Sequence, residues 1–215
     1  MPPAVRRAGG RSSRYASLDF ELTGLDLERD RIISFGVVPV DGSRIEVGRS
    51  VYELVDPGDV EMSHRAVTVH GLRPMDVRGA NQVEATRASL DRALGGRLLI
   101  TWFATVEASF LGKLYGTRTK PWLRRCIDVR VLVARILGDE ATRMTLEQAA
   151  ERFGVPVASP HHALDDALVT AELFLVVATK LEAEGFGTAR DLVRLSTPSS
   201  PRSVGPAWRG LSGTA

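Results

Sequence analysis

The stretch Leu18-Asp19-Phe20-Glu21-Leu22-Thr23-Gly24 sets two acids into an apolar, aromatic-containing run that begins at Tyr15. Such a run reads as a strand. Side chains alternate faces along a strand, so Asp19 and Glu21 project to the same side. Neighbouring carboxylates repel one another and resist removal from water, and a core strand carries them cheaply only if a cation lies between them. Oxygen ligands of this kind suit magnesium or manganese. An edge strand that turns both acids to water is the other reading the segment allows. The choice between the two falls to the rest of the chain.

A run of branched residues over 31–40 follows, closed by Asp41-Gly42. That pair is a hairpin signal and predicts an antiparallel partner across 44–55, giving a three-strand meander. Residues 56–80, punctuated by Pro57, Gly58, Gly71, Pro74 and Gly79, read as a loop-rich connection with room for one short helix. Within it, Val69-His70-Gly71-Leu72 places a histidine where a turn residue caps a helix. Val83, Ala85, Ala88, Leu90 and Leu94 have the spacing of an amphipathic helix over 81–94, and residues 98–103 then read as a further buried strand. A helix over 106–115 turns Phe110, Leu111 and Leu114 inward and carries Glu107 in its first turn, where an acid complements the helix dipole. Asp128 is the expected N-cap of a helix reaching Leu137, and Thr145 with Gln148 forms a capping box. A long helical pattern then opens at His161-His162-Ala163-Leu164-Asp165-Asp166. His161 in its lead-in and Asp166 one turn inside can face the same space, although acids there also serve the dipole alone.

The net charge of +2 is unevenly spread. Residues 1–14 carry four arginines and no acid, and residues 186–215 carry four arginines against Asp191, so the body between them is acidic. The two ends read as a flexible basic N-terminus, 1–14, and a disordered tail, 186–215, rich in Ser, Pro, Gly and Arg. Basic ends of this kind add nonspecific attraction to phosphates. The folded domain is expected at 15–185. No run of about 18 apolar residues occurs, which excludes a transmembrane helix, and the arginine-containing start has no apolar segment behind it to make a secretory signal. A cytoplasmic location is the resulting expectation. The one cysteine, Cys126, has no partner for a disulfide and reads as a buried apolar filler.

Taken in order, these segments resemble the DEDD-type 3′-to-5′ exonucleases of the histidine subclass, the family that includes the proofreading epsilon subunit of bacterial DNA polymerase III. The resemblance covers about residues 15–180. Asp19-Phe20-Glu21-Leu22-Thr23-Gly24 matches the family's first motif, and His161-His162-Ala163-Leu164-Asp165-Asp166-Ala167 matches its third. Val69-His70-Gly71-Leu72 and Ile127-Asp128 resemble further family landmarks. The second motif departs from the pattern: Trp102-Phe103 stands where the family usually has His-Asn, and Val106-Glu107 where it has Phe-Asp.

The resemblance implies an α/β fold, a ribonuclease H-like mixed five-stranded sheet flanked by helices. It also implies two divalent cations, Mg²⁺ or Mn²⁺, held by Asp19, Glu21, Glu107 and Asp166, with His161 as the general base. A histidine titrates close to neutrality and can take a proton from an attacking water. Thr23 and Gly24 are expected beside the terminal nucleotide, and Phe103 is a candidate for stacking on a base. The implied reaction is hydrolysis of terminal phosphodiesters at nucleic acid 3′ ends, DNA favoured, releasing nucleoside 5′-monophosphates. A DNA polymerase is a candidate partner. The alternative is a nucleic-acid or nucleotide binding module weakened in catalysis by the altered second motif.

Overall fold

The computed structural model describes residues 13–197. Six strands among them form one mixed sheet: β1 (Arg14–Leu22), β2 (Ile32–Asp41), β3 (Arg44–Ile45), β4 (Val51–Leu54), β5 (Leu98–Thr101) and β6 (Cys126–Asp128). The order is β3-β2-β1-β5-β6, with β4 on the same edge of β2 as β3, so the sheet is five positions wide. β1 lies antiparallel to β2 and parallel to β5, which in turn is parallel to β6. Nine helices surround the described sheet: α1 (His64–His70), α2 (Pro74–Val77), α3 (Val83–Leu94), α4 (Ala104–Leu114), α5 (Thr119–Leu123), α6 (Val129–Leu137), α7 (Leu146–Phe153), α8 (Ala163–Ala183) and α9 (Ala189–Leu195).

The central place of β1 decides between the two readings of its acids. Ala16, Leu18, Phe20 and Leu22 pack into a core with α3 and α4 residues such as Leu90 and Phe110. The alternate residues, beginning with Tyr15, face the other core, built with Phe174 and Val177 of α8 and with α6 and α7. Asp19 and Glu21 are on that second face; they lie past the last β5 pairing at Ser17, but they pair with Gly36 and Ser34 of β2 and face α8, so they are not the water-facing acids of an edge strand.

The hairpin forms at Gly42-Ser43, with Asp41 opposite Arg44. Its returning strand is not continuous as expected across 44–55. The Glu46 N–H reaches the Pro39 carbonyl at 2.9 Å, but Pro39 has no N–H to return, and the chain leaves β2 through a 3-10 turn at Val47–Arg49. Pairing resumes at Val37 opposite Val51. The connection over 56–80 holds two short helices rather than one. β6, the fifth position of the sheet, is only three residues long and has no periodicity to reveal it.

The C-terminal boundary also differs from expectation. Residues 186–197 are part of the fold, and α9 packs Ala189 and Leu192 into the α8-side core. Thr188 caps the helix, accepting the Asp191 N–H at 3.1 Å while the Asp191 carboxylate accepts the Thr188 N–H. Residues 1–12 and 198–215, the remainder of the two expected tails, lie outside the described residues. Leu192→Ala is expected to lower stability by about 2–4 kcal/mol in chemical unfolding, the cost of a core truncation; a surface-like change below about 0.5 kcal/mol would place α9 outside the folded unit.

Candidate active site

Asp19 and Glu21 of β1 and Asp166 of α8 converge, each offering a carboxylate oxygen within 4.8 Å of the others. The contact that brings the helix to the strand is made at Gly36. It lies directly opposite Asp19 in the β1–β2 register, and a Cβ there would overlap the Ala163 carbonyl and the Leu164 Cα. The first turn of α8 therefore rests on bare backbone, and Asp166 is lowered onto the acids of β1. A glycine inside a run of branched strand residues signals such a close approach.

His161 precedes this turn with φ 62°, the one left-handed non-glycine among the described residues. Its N–H donates to Asp166 Oδ2 at 3.1 Å, which ties the histidine's backbone to the acid cluster. Sparsely populated backbone of this kind collects at functional sites. The next residue, His162, stacks on Tyr52 of β4 with ring centroids 4.4 Å apart. Tyr52 carries no sequence signal of its own and enters only through its register opposite Gly36.

Glu107 approaches from α4 and stands outside the group of three. It is 4% exposed, and its Oε2 has no hydrogen-bond partner. Asp166 Oδ1 is likewise buried without a partner. Burial drives the proton affinity of all four groups upward. Asp19 is raised well above the ordinary range by desolvation, then by Glu21, Glu107 and Asp166. Glu21 is pushed up to about 8 by burial and by Asp166. Glu107 reaches about 8 through burial and Asp128, and Asp166 about 6 through burial, opposed by His161. Clustered, half-orphaned oxygens with raised pKa values are what a site for divalent cations looks like when charge compensation must come from the ion. The donor set fits such ions.

Beside Glu21 opens a cavity of about 620 Å³, lined mostly by apolar groups including Phe20, Leu25, Val69 and Val106, with His70 at its wall. The loop over 24–30 forms one side. Lys113 of α4 holds that loop, its ammonium donating to the carbonyls of Leu27, Glu28 and Asp30 at 2.8–3.0 Å.

A family profile described as Exonuclease matches residues 17–174. The chain belongs to the exonuclease family. A DNA polymerase III subunit epsilon of Aquifex aeolicus is 26% identical over 182 residues, covering 84% of this chain and 89% of the relative. A PolC-type DNA polymerase III of Thermotoga maritima is 26% identical over 203 residues; the match takes in 91% of this chain but spans only 14% of that polymerase. Among solved structures, the nuclease domain of 3′hExo, a DEDDh family member bound to rAMP, superposes with a TM-score of 0.67 at 20% identity, covering 84% of this chain and 97% of that domain. Escherichia coli Exonuclease I in complex with a dT13 oligonucleotide gives 0.68 at 15% identity, covering 80% of this chain and 42% of that one. At these identities the structural likeness establishes the shared ribonuclease H-like fold.

Two of the residues expected at the substrate are also engaged within the fold. Thr23 is fully buried: its Oγ1 donates to Asp30 and accepts from the Arg31 N–H, its own N–H donates to the Arg31 carbonyl, and its carbonyl accepts from Ser63. These bonds knot the end of β1 to the loop, and Thr23 is not among the residues lining the cavity. Gly24, by contrast, lines the cavity. Phe103 is half-buried with the Arg130 guanidinium 4.0 Å over its ring, so one face is already covered. Trp102 packs against the α8-side core.

Gly36→Ala is expected to cost about 1–3 kcal/mol through overpacking; because the displaced element carries Asp166, the stabilisation gained on adding Mn²⁺ shrinks as well. A second consequence concerns pH. Unfolded carboxylates release their protons near pH 4, whereas folded Glu21 and Glu107 keep theirs up to about 8. The folded state thus binds more protons between those limits, and the metal-free protein loses stability as pH rises from 5.5 to 8.5. A falling Tm over that range is expected, each 1 kcal/mol being roughly 2–4 °C, with Mn²⁺ raising Tm most at the alkaline end. A metal-free Tm that climbs with pH would contradict the burial of these acids.

Proposed function

We propose that this exonuclease domain hydrolyses the terminal phosphodiester at the 3′ end of single-stranded or frayed nucleic acid, DNA favoured, in a reaction dependent on divalent cations. The convergence of Asp19, Glu21 and Asp166 on one point, with His161 tied to the same cluster, is the observation that carries this reading. Asp19, Glu21 and Asp166 would hold the ions, with Glu107 completing the set from α4. When bound, two such cations supply an activated water and stabilise charge on the leaving 3′ oxygen.

The chain's own residues do the remainder. His161, two residues before the start of α8, accepts the proton of the attacking water on its imidazole. Its peptide N–H stays on Asp166, so the base and the acid cluster move as one piece. The apolar cavity beside Glu21 receives the terminal nucleoside, with Gly24 offering close approach of main chain at its mouth. Water adds to phosphorus, the P–O3′ bond breaks, and the products are a nucleoside 5′-monophosphate and a strand one nucleotide shorter. The DNA preference draws on the polymerase names of the relatives; RNA remains a comparison substrate because one structural neighbour carries rAMP. A DNA polymerase partner is proposed on the same ground, and Mg²⁺ or Mn²⁺ on the hardness of the four carboxylates. The raised but retained acid at Glu107 supports catalysis over a binding module that has lost it, since an orphaned buried carboxylate is costly without a function.

A 5′-labelled single-stranded DNA incubated with the protein and Mg²⁺ or Mn²⁺ is expected to give a ladder of products shortened from the 3′ end. EDTA and Asp19→Ala abolish it, and His161→Ala slows it by about 10²–10⁴-fold, the span of general-base removal. Immediate release of the label would reverse the polarity. A folded, metal-loaded protein that shortens neither DNA nor a matched RNA would leave the binding module as the reading.

A further inference from the structure

α4 carries Glu107 in its first turn but begins without a cap of its own. The N-cap residue is Phe103, whose carbonyl accepts the Val106 N–H but whose side chain has no acceptor, whereas Asn, Asp, Ser or Thr would take one more of the free N–H groups there. The missing acceptor comes from another element. Asp128, at the end of β6, receives the Ala104 N–H on Oδ2 at 3.2 Å. Its other oxygen, Oδ1, receives the Val131 N–H at 3.1 Å and caps α6. One carboxylate, 5% exposed, therefore starts two helices.

A buried cation completes the arrangement. Arg130, 4% exposed, places Nη2 4.0 Å from Asp128 Oδ2 and donates from Nη1 to the Thr142 carbonyl at 3.0 Å. Its guanidinium also lies 4.0 Å over the Phe103 ring. The ring that cannot cap α4 is thus clamped by the partner of the residue that does. Buried charge is tolerated when it is paired and hydrogen-bonded, and Asp128 is both.

We infer that Asp128 is a positioning residue for Glu107, capping α4 from β6 where position 103 cannot. A glutamate has one more rotatable bond than an aspartate, so its carboxylate is well placed only if the helix start beneath it is fixed. Glu107 is three positions on from Ala104, and the direction of that single turn decides where the acid reaches. Arg130 and Phe103 hold the turn from outside. The inference rests on the proposed role of Glu107 as a metal ligand.

The test is a double-mutant cycle read by Mn²⁺ binding in isothermal titration calorimetry, using the full chain as the native protein, Asp128→Ala, Glu107→Gln and the double variant. Circular dichroism checks folding; Asp128→Asn, which keeps one acceptor oxygen, takes the alanine variant's place if that variant does not fold. Asp128→Ala is expected to weaken Mn²⁺ binding about 10- to 100-fold, as loss of a ligand-orienting group does. In the Glu107→Gln background the same change is expected to weaken it by less than about twofold, since the two act as one unit. Equal weakening in both backgrounds, or none in the native one, overturns the inference while leaving the metal role of Glu107 in place. Mn²⁺ binding unchanged in Glu107→Gln itself overturns the ligand role, and with it the inference.

Discussion

Mutual repulsion among buried carboxylates is the constraint on which the rest of this structure depends. β1 is the middle strand of the sheet, and it brings two acids to a face that α8 covers and a third acid completes. Each would be less costly in water. The protein accepts their desolvation, and burial together with mutual repulsion raises their proton affinities. The surrounding elements meet this demand in different ways. Gly36 gives up its side chain so that a helix can descend, His161 adopts a left-handed backbone so that its N–H can serve Asp166, and Thr23 ties the end of β1 to Asp30 and Arg31.

The parts of the fold that were legible in the sequence are those where one local signal coincides with the global requirement. Asp41-Gly42 announced its hairpin, Thr145 and Gln148 their capping box, and the alternation along Tyr15–Leu22 two differently occupied faces. The acids of the first motif stand out because they interrupt an apolar run, whereas His161 and Asp166 stand out through their match to the third motif. What escaped depends on contacts between distant segments. The importance of Gly36 follows from a register, and the second helix capped by Asp128 lies 24 residues back in the chain. Thr23 illustrates the converse. Its place in a motif invited a ligand-contact role, and only the fold shows the side chain fully buried and tied to Asp30 and Arg31. The helix α9 had a readable cap at Thr188 and Asp191, but the serine, proline and arginine content of the residues beyond it dominated the reading.

The altered second motif is best understood as a set of linked changes. Losing a capping side chain at position 103 and lengthening the acid at 107 would each loosen the start of α4 if made alone. Here an aromatic ring at 103, a buried arginine at 130 and a shared carboxylate at 128 occupy the same corner. The aromatic pair Trp102-Phe103 divides its work accordingly, one ring joining the α8-side core and the other bearing on Arg130. Substitutions in this corner are coupled, and none can be judged from its own side chain.

Lys113 holds the loop over 24–30 by three main-chain carbonyls. Since it grips backbone common to every amino acid, the path of that wall is largely decoupled from the identity of the residues that face outward along it. Leu25 and Leu27, both exposed, occupy positions that can be exchanged while the course of the chain is kept. The rim of the cavity is thereby open to evolutionary drift in its chemistry, and a family sharing this frame can acquire new preferences at the mouth without rebuilding the acids beneath.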